Sequence, residues 1–240
     1  MRDVVTIPFD GGASLIIASD NSGGIGMRAD DQVQVPYETV AYYSFRVAVM
    51  ECIAAGGEPI TVVLHNFCGN EPWEELVNGI QKGLFELDLT DVPVTGSTES
   101  NFQLLQSAIG MLVIGKRAAK RENEISYDED LNLAVIGLPL VGSEVIDQEN
   151  QVVPLSVFRD IAKMDGVITW PVGSRGIFYE LEQMFPDCML KKEMVVSDID
   201  VWKSSGPATC FIAAYRNEQA DELKKLAGTY MHSLEIRNCR

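Results

Sequence analysis

"IIASDNSGGIG", residues 16–26, puts an apolar run, an aspartate and three glycines side by side. Leu15–Ser19 reads as a strand that ends on Asp20. The glycines allow a main chain to come close to a ligand. A carboxylate beside a phosphate repels it unless a cation lies between them. The stretch is therefore read as a metal-bridged nucleotide site, against the alternative of an ordinary glycine-rich turn with a solvated aspartate. It is not Gly-x-Gly-x-x-Gly opening a helix, because Asp30, Asp31 and Pro36 interrupt the segment after the glycines. It also lacks the Gly-Lys-Ser/Thr of a P-loop. The stretch offers Asp20 as a hard oxygen ligand, amides of Gly23, Gly24 and Gly26 for a phosphate, and Arg28 as a nearby cation.

The flanking sequence supplies the scaffold. Pro36 opens a helix over residues 37–55, and Gly56-Gly57 stops it. Val40, Tyr43, Val47, Met50 and Ala54 recur at helical spacing as its apolar stripe. "ITVVL", 60–64, is a short buried-type strand. A second helix over 70–87 has Asn70 as cap and Trp73, Leu76, Val77, Ile80, Leu84 and Leu87 as inner face, with Phe85 also assigned to core. Strands follow at 92–95 and 107–115. The charged, apolar-poor segment 116–130 marks the domain boundary. Beyond it, strands are expected at 131–136, 167–170, 208–215 and 233–237, with helices near 154–164, 175–185 and 217–227. Strands and helices alternate in both halves, which makes the class mixed α and β.

Three further places can carry chemistry. Glu51 lies beside the apolar stripe of the first helix, where a carboxylate is costly unless paired or metal-bound; a salt bridge to Arg46 or a place at the stripe's edge is the alternative. "VTGSTESN", 94–101, reads as a strand running into a polar loop. There Gly96, Ser97 and Thr98 can hold phosphate and Glu99 a metal, although such loops are common. In "WPVGSRGIFYELEQMF", 170–185, a helix start with free amides attracts anions and Arg175 can clamp a phosphate; a plain capped turn explains it as well. His65 and His232 are read as structural.

The totals narrow the field. The 240 residues are 46% hydrophobic, enough for one large or two modest domains. A formal charge of −16 repels nucleic acid and acidic membrane. Residues 1–115 hold 15 acids and 4 bases, so divalent cations must neutralise any bound nucleotide there. Five scattered cysteines without a Cys-x-x-Cys pair argue against a disulfide framework and a zinc site. Two histidines argue against a Ser-His-Asp triad. No apolar run reaches the ~18 residues of a membrane span, and the N-terminus shows no signal core. A cytoplasmic protein is expected.

In this order the segments resemble the superfamily of aminoimidazole ribonucleotide (AIR) synthetase, thiamine-monophosphate kinase, selenophosphate synthetase and the hydrogenase-maturation dehydratase. The likeness runs over 10–115 and more loosely to about 228. "IIASDNSGGIG" resembles the family strand ending in a metal-binding Ser/Thr-Asp. "FRVAVMECIAAGGEPITVVL" resembles its helix ending Ala-Met-Gly-Ala-x-Pro before a strand. "VTGSTES" is similar to its Gly-Gly-acid-Thr loop, "LVIGK" to the strand closing the first domain, and "SSGPATCFIAA" to a late Ser-Gly turn and strand. "PVGSRGIFYELEQMF" stands where the family has Asp-Gly-Gly before a helix. The chain departs from the pattern with Glu51 for an aspartate, Ala48 for an asparagine, Ser97 for the loop acid, and Ser174-Arg175-Gly176 for Asp-Gly-Gly.

The resemblance implies an α+β, two-domain AIR-synthase-like fold. Residues 1–118 would be the N-terminal ATP- and metal-binding domain, a mixed sheet with helices on one face that pairs across a homodimer. Residues 119–240 would be a short α/β C-terminal domain. It implies ATP and Mg2+ as cofactors and phosphorylation of a small nucleoside-like molecule; by elimination within the family, the short second domain and the departures from thiamine-monophosphate kinase fit the α-ribazole kinases better than the larger relatives. A thiamine-monophosphate kinase variant and a non-catalytic nucleotide-binding regulator remain alternatives. By the same resemblance Asp10, Asp20, Glu51 and Glu99 hold metal. Gly23, Gly24, Gly26, Gly96, Ser97 and Thr98 contact ATP, and Arg28 and Arg175 join Asp20 in catalysis.

Overall fold

The alternating strands and helices fold into two units, Asp3–Arg121 and Glu122–Arg240. The computed structural model describes residues 4–118, 127–128 and 130–237, apart from the side chain of Asp10. Most of the charged segment 116–130, where the domain boundary was expected, lies outside the described residues.

In the first unit the elements are β1 (Val4–Pro8), β2 (Ser14–Gly23), β3 (Ile25–Gly26), β4 (Val33–Gln34), α1 (Tyr37–Ala54), β5 (Glu58–Asn66), α2 (Trp73–Glu86), β6 (Val94–Thr98) and β7 (Ala108–Arg117). The main sheet has the order β1-β2-β7-β5-β6. It is mixed: only β5 and β6 run parallel. Residues paired in register share a face. Ile16, Ala18, Val113, Val62 and Leu64 therefore form one buried face, against which α1 lies. The opposite face carries Ile17, Ile114, Leu112 and Val63, all partly exposed. On the edge strand β1, Val5 is 59% and Ile7 42% exposed.

Three expectations need correction here. The single stripe on α1 is too narrow: Ser44, Phe45, Ala48, Val49 and Cys52 are buried, while Tyr43 and Val47 are only half-buried. The helix is covered by the sheet on one side and by α2 on another, so more than one face is apolar. On α2, Phe85 is 73% exposed rather than core, because it projects away from the α1 contact. Asn70 does not cap α2 through its side chain; its main-chain carbonyl accepts from the Trp73 N–H at 3.3 Å.

Both helices end in the same hydrogen-bond pattern. After α1, Gly56 (φ 81°) lets the Gly57 N–H reach the Cys52 carbonyl at 2.9 Å and its own N–H reach Ile53 at 2.8 Å. After α2, Asp88 takes that left-handed position with φ 57°, and the Leu89 and Asp88 amides reach Leu84 and Phe85. A non-glycine residue carries a steric cost there. Asp88→Gly is expected to raise stability by about 0.5–1 kcal/mol, read as a higher denaturant midpoint at unchanged slope. A lower midpoint would mean that the aspartate carboxylate outweighs its backbone strain.

In the second unit, β8 (Asn132–Ile136), α3 (Glu144–Asp147), α4 (Leu155–Ala162), β9 (Ile168–Pro171), α5 (Gly176–Met184), β10 (Val195–Ser197), β11 (Phe211–Tyr215), α6 (Ala220–Ala227) and β12 (Met231–Ile236) build an antiparallel sheet of order β10-β12-β8-β11-β9. Leu133, Val135, Ile212 and Ala214 share one core with Ile177, Phe178 and Leu181 of α5. On the other face Phe211 meets Phe158 of α4 edge-on at 5.1 Å. Burial from both sides explains the unbroken apolar runs of β8 and β11. Cys188 is disulfide-bonded, whereas Cys52 and Cys68 are free thiols. The scattered cysteine spacing missed this, because separation along the chain says nothing about proximity in the fold. No described helix is long and apolar enough to cross a membrane.

Candidate nucleotide site in the first unit

β2 does not stop at Asp20; it continues to Gly23, paired with β7 throughout. Asp20 therefore projects from within a strand, on the α1 side of the sheet, where Ser44 hydrogen-bonds its carboxylate. Burial pushes its pKa up to about 6, partly offset by the bonds from Ser44 and the Asn21 amide.

The loop after β2 is tied down by contacts that the sequence did not reveal. Asp31, read only as an interruption of the glycine pattern, is 8% exposed. Its carboxylate accepts from the Ser107 N–H and Oγ, each at 2.7 Å, and from the Arg28 N–H at 2.8 Å. Burial raises its pKa, but these bonds and the Arg28 charge outweigh that and hold it below the ordinary carboxylate range. Gly26 is required here: a Cβ on it would stand 2.5 Å from Ser107 Oγ and 2.9 Å from the Tyr37 ring. Gly24 gives its N–H to the Ser107 carbonyl at 2.8 Å. Gly23 is different. Its φ is not positive, and a Cβ there would meet nothing within 4 Å. The Arg28 guanidinium is anchored on the Cys68 carbonyl at 3.0 Å.

Gly96, Ser97 and Thr98 lie in β6, paired with Leu64, His65 and Asn66, rather than in a loop. A Cβ on Gly96 would stand 2.0 Å from the Leu64 carbonyl oxygen, so the glycine serves the strand contact. Asn66, another residue missed, is buried and donates to Thr98 Oγ1 at 3.1 Å and to the Gly69 carbonyl at 2.7 Å. Glu99 Oε1 accepts from the amides of Asn101 (2.6 Å) and Phe102 (3.2 Å), bracing its own turn.

The register fixes how far these groups stand apart. Asp20, Met111, Leu64 and Gly96 form one row across β2, β7, β5 and β6. Three strand spacings separate the ends of the row by about 14 Å. One ion therefore does not bridge Asp20 and Glu99. Glu51 sits two helical turns beyond Ser44, about 10 Å along α1. That direction leads away from Asp20, because the end of α1 meets Ile16: a Cβ on Gly57 would lie 3.2 Å from Ile16 Cβ. Asp10 opens a short turn (Asp10–Gly12), and its side chain lies outside the described residues. Among the described residues no three His, Cys, Asp or Glu side chains gather as a metal cage.

In the second unit Arg175 is exposed at the start of α5, its guanidinium 4.6 Å from the Tyr179 ring centroid. The amides expected to be free at that helix start are partly used. Gly176 donates to the Gly173 carbonyl at 3.2 Å and Phe178 to Val201 at 2.9 Å. His232 is partly buried, and its Nδ1 lies 3.1 Å from a carboxylate oxygen of Asp198.

No family model and no curated protein matches the chain. Solved structures do. The chain superposes on the HypE–HypF complex with a TM-score of 0.65 at 12% identity, covering 99% of this chain and 88% of that one. For thiamine monophosphate kinase from Aquifex aeolicus the TM-score is 0.61 at 12% identity, covering 100% and 90%. For T. maritima PurL complexed with ADP it is 0.60 at 10% identity, covering 99% of this chain but only 44% of PurL. The chain thus spans less than half of PurL and most of the two shorter proteins. At such identities the likeness is one of fold alone, a mixed α and β fold consistent with the AIR-synthase-like one that the sequence resemblance implied.

Proposed function

We propose that this chain is an ATP- and Mg2+-dependent small-molecule kinase, with α-ribazole as its phosphoryl acceptor. Residues 1–118 would bind the nucleotide and 119–240 would form the short second domain. The observation that carries the reading is local: a carboxylate, Asp20, is kept in the desolvated space between β2 and α1, and its strand ends at Gly23, where a side chain would meet only open space. The fold shared with thiamine monophosphate kinase and ADP-bound PurL supports it.

The donor set fits Mg2+ that arrives on a nucleotide, because Mg2+ is commonly held by one or two carboxylates and the phosphates themselves. Asp20 would hold one ion and Glu99, through Oε2, another; two ions on one triphosphate suit the separation of β2 and β6. Glu51 and Asp10 have no part in this reading. When bound, the ions would neutralise phosphate charge in a segment poor in Lys and Arg. Gly23 would let a phosphate approach the main chain, with Gly24, Gly26, Ser97 and Thr98 shaping the rim. Gly96 holds β6 close to β5. Arg28, fixed by the Cys68 carbonyl, would meet the transferred phosphoryl group, and Arg175 is proposed as a second such cation. A second copy of the chain is proposed to cover the outer sheet face around Val5, Ile7 and Ile17.

The deciding experiment incubates the protein with Mg-ATP and α-ribazole, thiamine monophosphate or no acceptor, and measures ADP and phosphorylated product. Product from α-ribazole alone supports the proposal; product from thiamine monophosphate alone moves the activity to that acceptor. The spread of the carboxylates favours one other reading, a regulator that binds nucleotide without turnover, and ATP binding with no product would establish it. Gly23→Ala is expected to leave stability within about 0.5 kcal/mol while weakening ATP binding roughly tenfold, a loss of about 1.4 kcal/mol. Unchanged ATP affinity would remove Gly23 from the site.

A further inference from the structure

We propose that Asn66 is a positioning residue for Arg28: it fixes the Cys68 carbonyl, and through it the Arg28 guanidinium, beside the Glu99 turn. The role rests on the nucleotide reading for its purpose, while its geometry stands without it. Asn66 ends β5 and continues the buried row of Val62 and Leu64, where an apolar side chain is the ordinary choice. Its side chain is an amide, 1% exposed, and a buried amide is costly unless it is bonded. Nδ2 donates to the Gly69 carbonyl at 2.7 Å and to Thr98 Oγ1 at 3.1 Å, and Oδ1 accepts from the Cys68 N–H at 2.8 Å. A carbonyl only accepts and an amide N–H only donates, so the side chain has one orientation.

Two loops hang on this residue. The Asn66 main-chain carbonyl accepts from the Glu99 N–H at 2.8 Å, which sets the start of the Glu99 turn. The bond from the Cys68 N–H closes a turn around Phe67, and the Cys68 carbonyl then accepts from Arg28 Nη2 at 3.0 Å. The Arg28 main chain has a separate anchor, its N–H on Asp31. Asp31 thus places the backbone of Arg28, and Asn66 places its guanidinium. An anchor of this kind suits anion binding. A neutral carbonyl leaves the guanidinium its full charge and its other N–H donors, whereas a carboxylate in that place would neutralise it.

The test uses the full chain carrying Asn66→Leu, which is neutral, similar in size and unable to make any of the three bonds. Without nucleotide, nitrogen-15 relaxation should show the Arg28 Nε–H as mobile as that of an exposed arginine. The Ser107 amide, bonded to Asp31, should keep its protection from hydrogen exchange. Calorimetry with Mg-ATP should show binding weakened roughly tenfold, the size of one charge-assisted hydrogen bond. Adding Asn66→Leu to Arg28→Ala should cost less than about twofold more, because both changes act through one group. Asn66→Ser keeps an acceptor for the Cys68 N–H and should mobilise Arg28 to a smaller extent; it serves alone if the leucine variant does not fold. An Arg28 signal unmoved in the folded variant overturns the proposal. Losses that multiply in the double variant overturn it too, since Asn66 would then support the fold without acting through Arg28. A parent chain that binds no ATP removes the nucleotide reading, and the Arg28 signal still decides for or against Asn66.

Discussion

Replacing Asp20 by Asn is expected to stabilise the metal-free protein at pH 7 while abolishing ATP-dependent turnover. Burial raises the folded-state pKa of Asp20 from 3.8 to about 6. The folded protein therefore binds that proton more tightly than the unfolded chain does. The penalty for ionising Asp20 is absent below about pH 4, grows between about pH 4 and 6, and is complete above 6. Two pKa units correspond to about 3 kcal/mol, an upper bound for the gain at pH 7. Asn is neutral, of similar shape, and keeps an oxygen for Ser44. Denaturant unfolding in a chelating buffer should show the variant ahead at pH 7 and level with the parent at pH 4. In the kinase reading the same change removes a charged phosphate-site ligand, for which at least a hundredfold loss of turnover is expected. Equal stability gains at both pH values would remove the burial argument. Normal turnover would remove Asp20 from the site.

Gly79→Ala is expected to be among the most damaging single changes to the fold. Gly79 lies where α2 crosses α1, and a Cβ there would stand 2.1 Å from the Glu38 carbonyl oxygen and 2.9 Å from the Tyr42 amide nitrogen. Both neighbours are main chain, so no rotamer change relieves the overlap, and α2 must lift away from α1. Overpacking of this kind costs about 3 kcal/mol or more. The loss should appear as a lower denaturant midpoint together with greater exposure of Leu76 and Ile80, which the crossing buries. A midpoint within about 0.5 kcal/mol of the parent would show that the two helices slide apart freely. Gly23→Ala is the opposite case: Gly79 has backbone against it, and Gly23 has open space.

The glycines show where sequence reading stops. "SGGIG" announces bare backbone, but nothing in the string separates Gly26, pressed against Ser107 some eighty residues later, from Gly23, pressed against nothing. Gly96 looked like a phosphate contact because Ser and Thr follow it. The partner that demands a glycine there is the carbonyl of Leu64 on the neighbouring strand. Asp31 and Asn66 each bond a residue three positions away, but the partners that tie them into the sheet, Ser107 and Thr98, are distant in sequence. Phe85 follows the apolar Leu84 but lies beyond the edge of the inner face.

By itself the sequence determined the longer helices and most of the strands in their order, but it read no strand at β1, β3, β4 or β10 and no helix at α3. Helical spacing, Pro36 and Gly56-Gly57 bounded α1, and short apolar runs located β5, β7, β8 and β11, because these signals act over a few residues. It also determined the acidic balance of the first half and the AIR-synthase-like likeness. Only the tertiary structure decided that β2 and β6 stand apart with β7 and β5 between them. It therefore also decided which carboxylates share a place and which do not. Strand order and register come from pairings between distant segments, and no window of sequence contains both partners of such a pair.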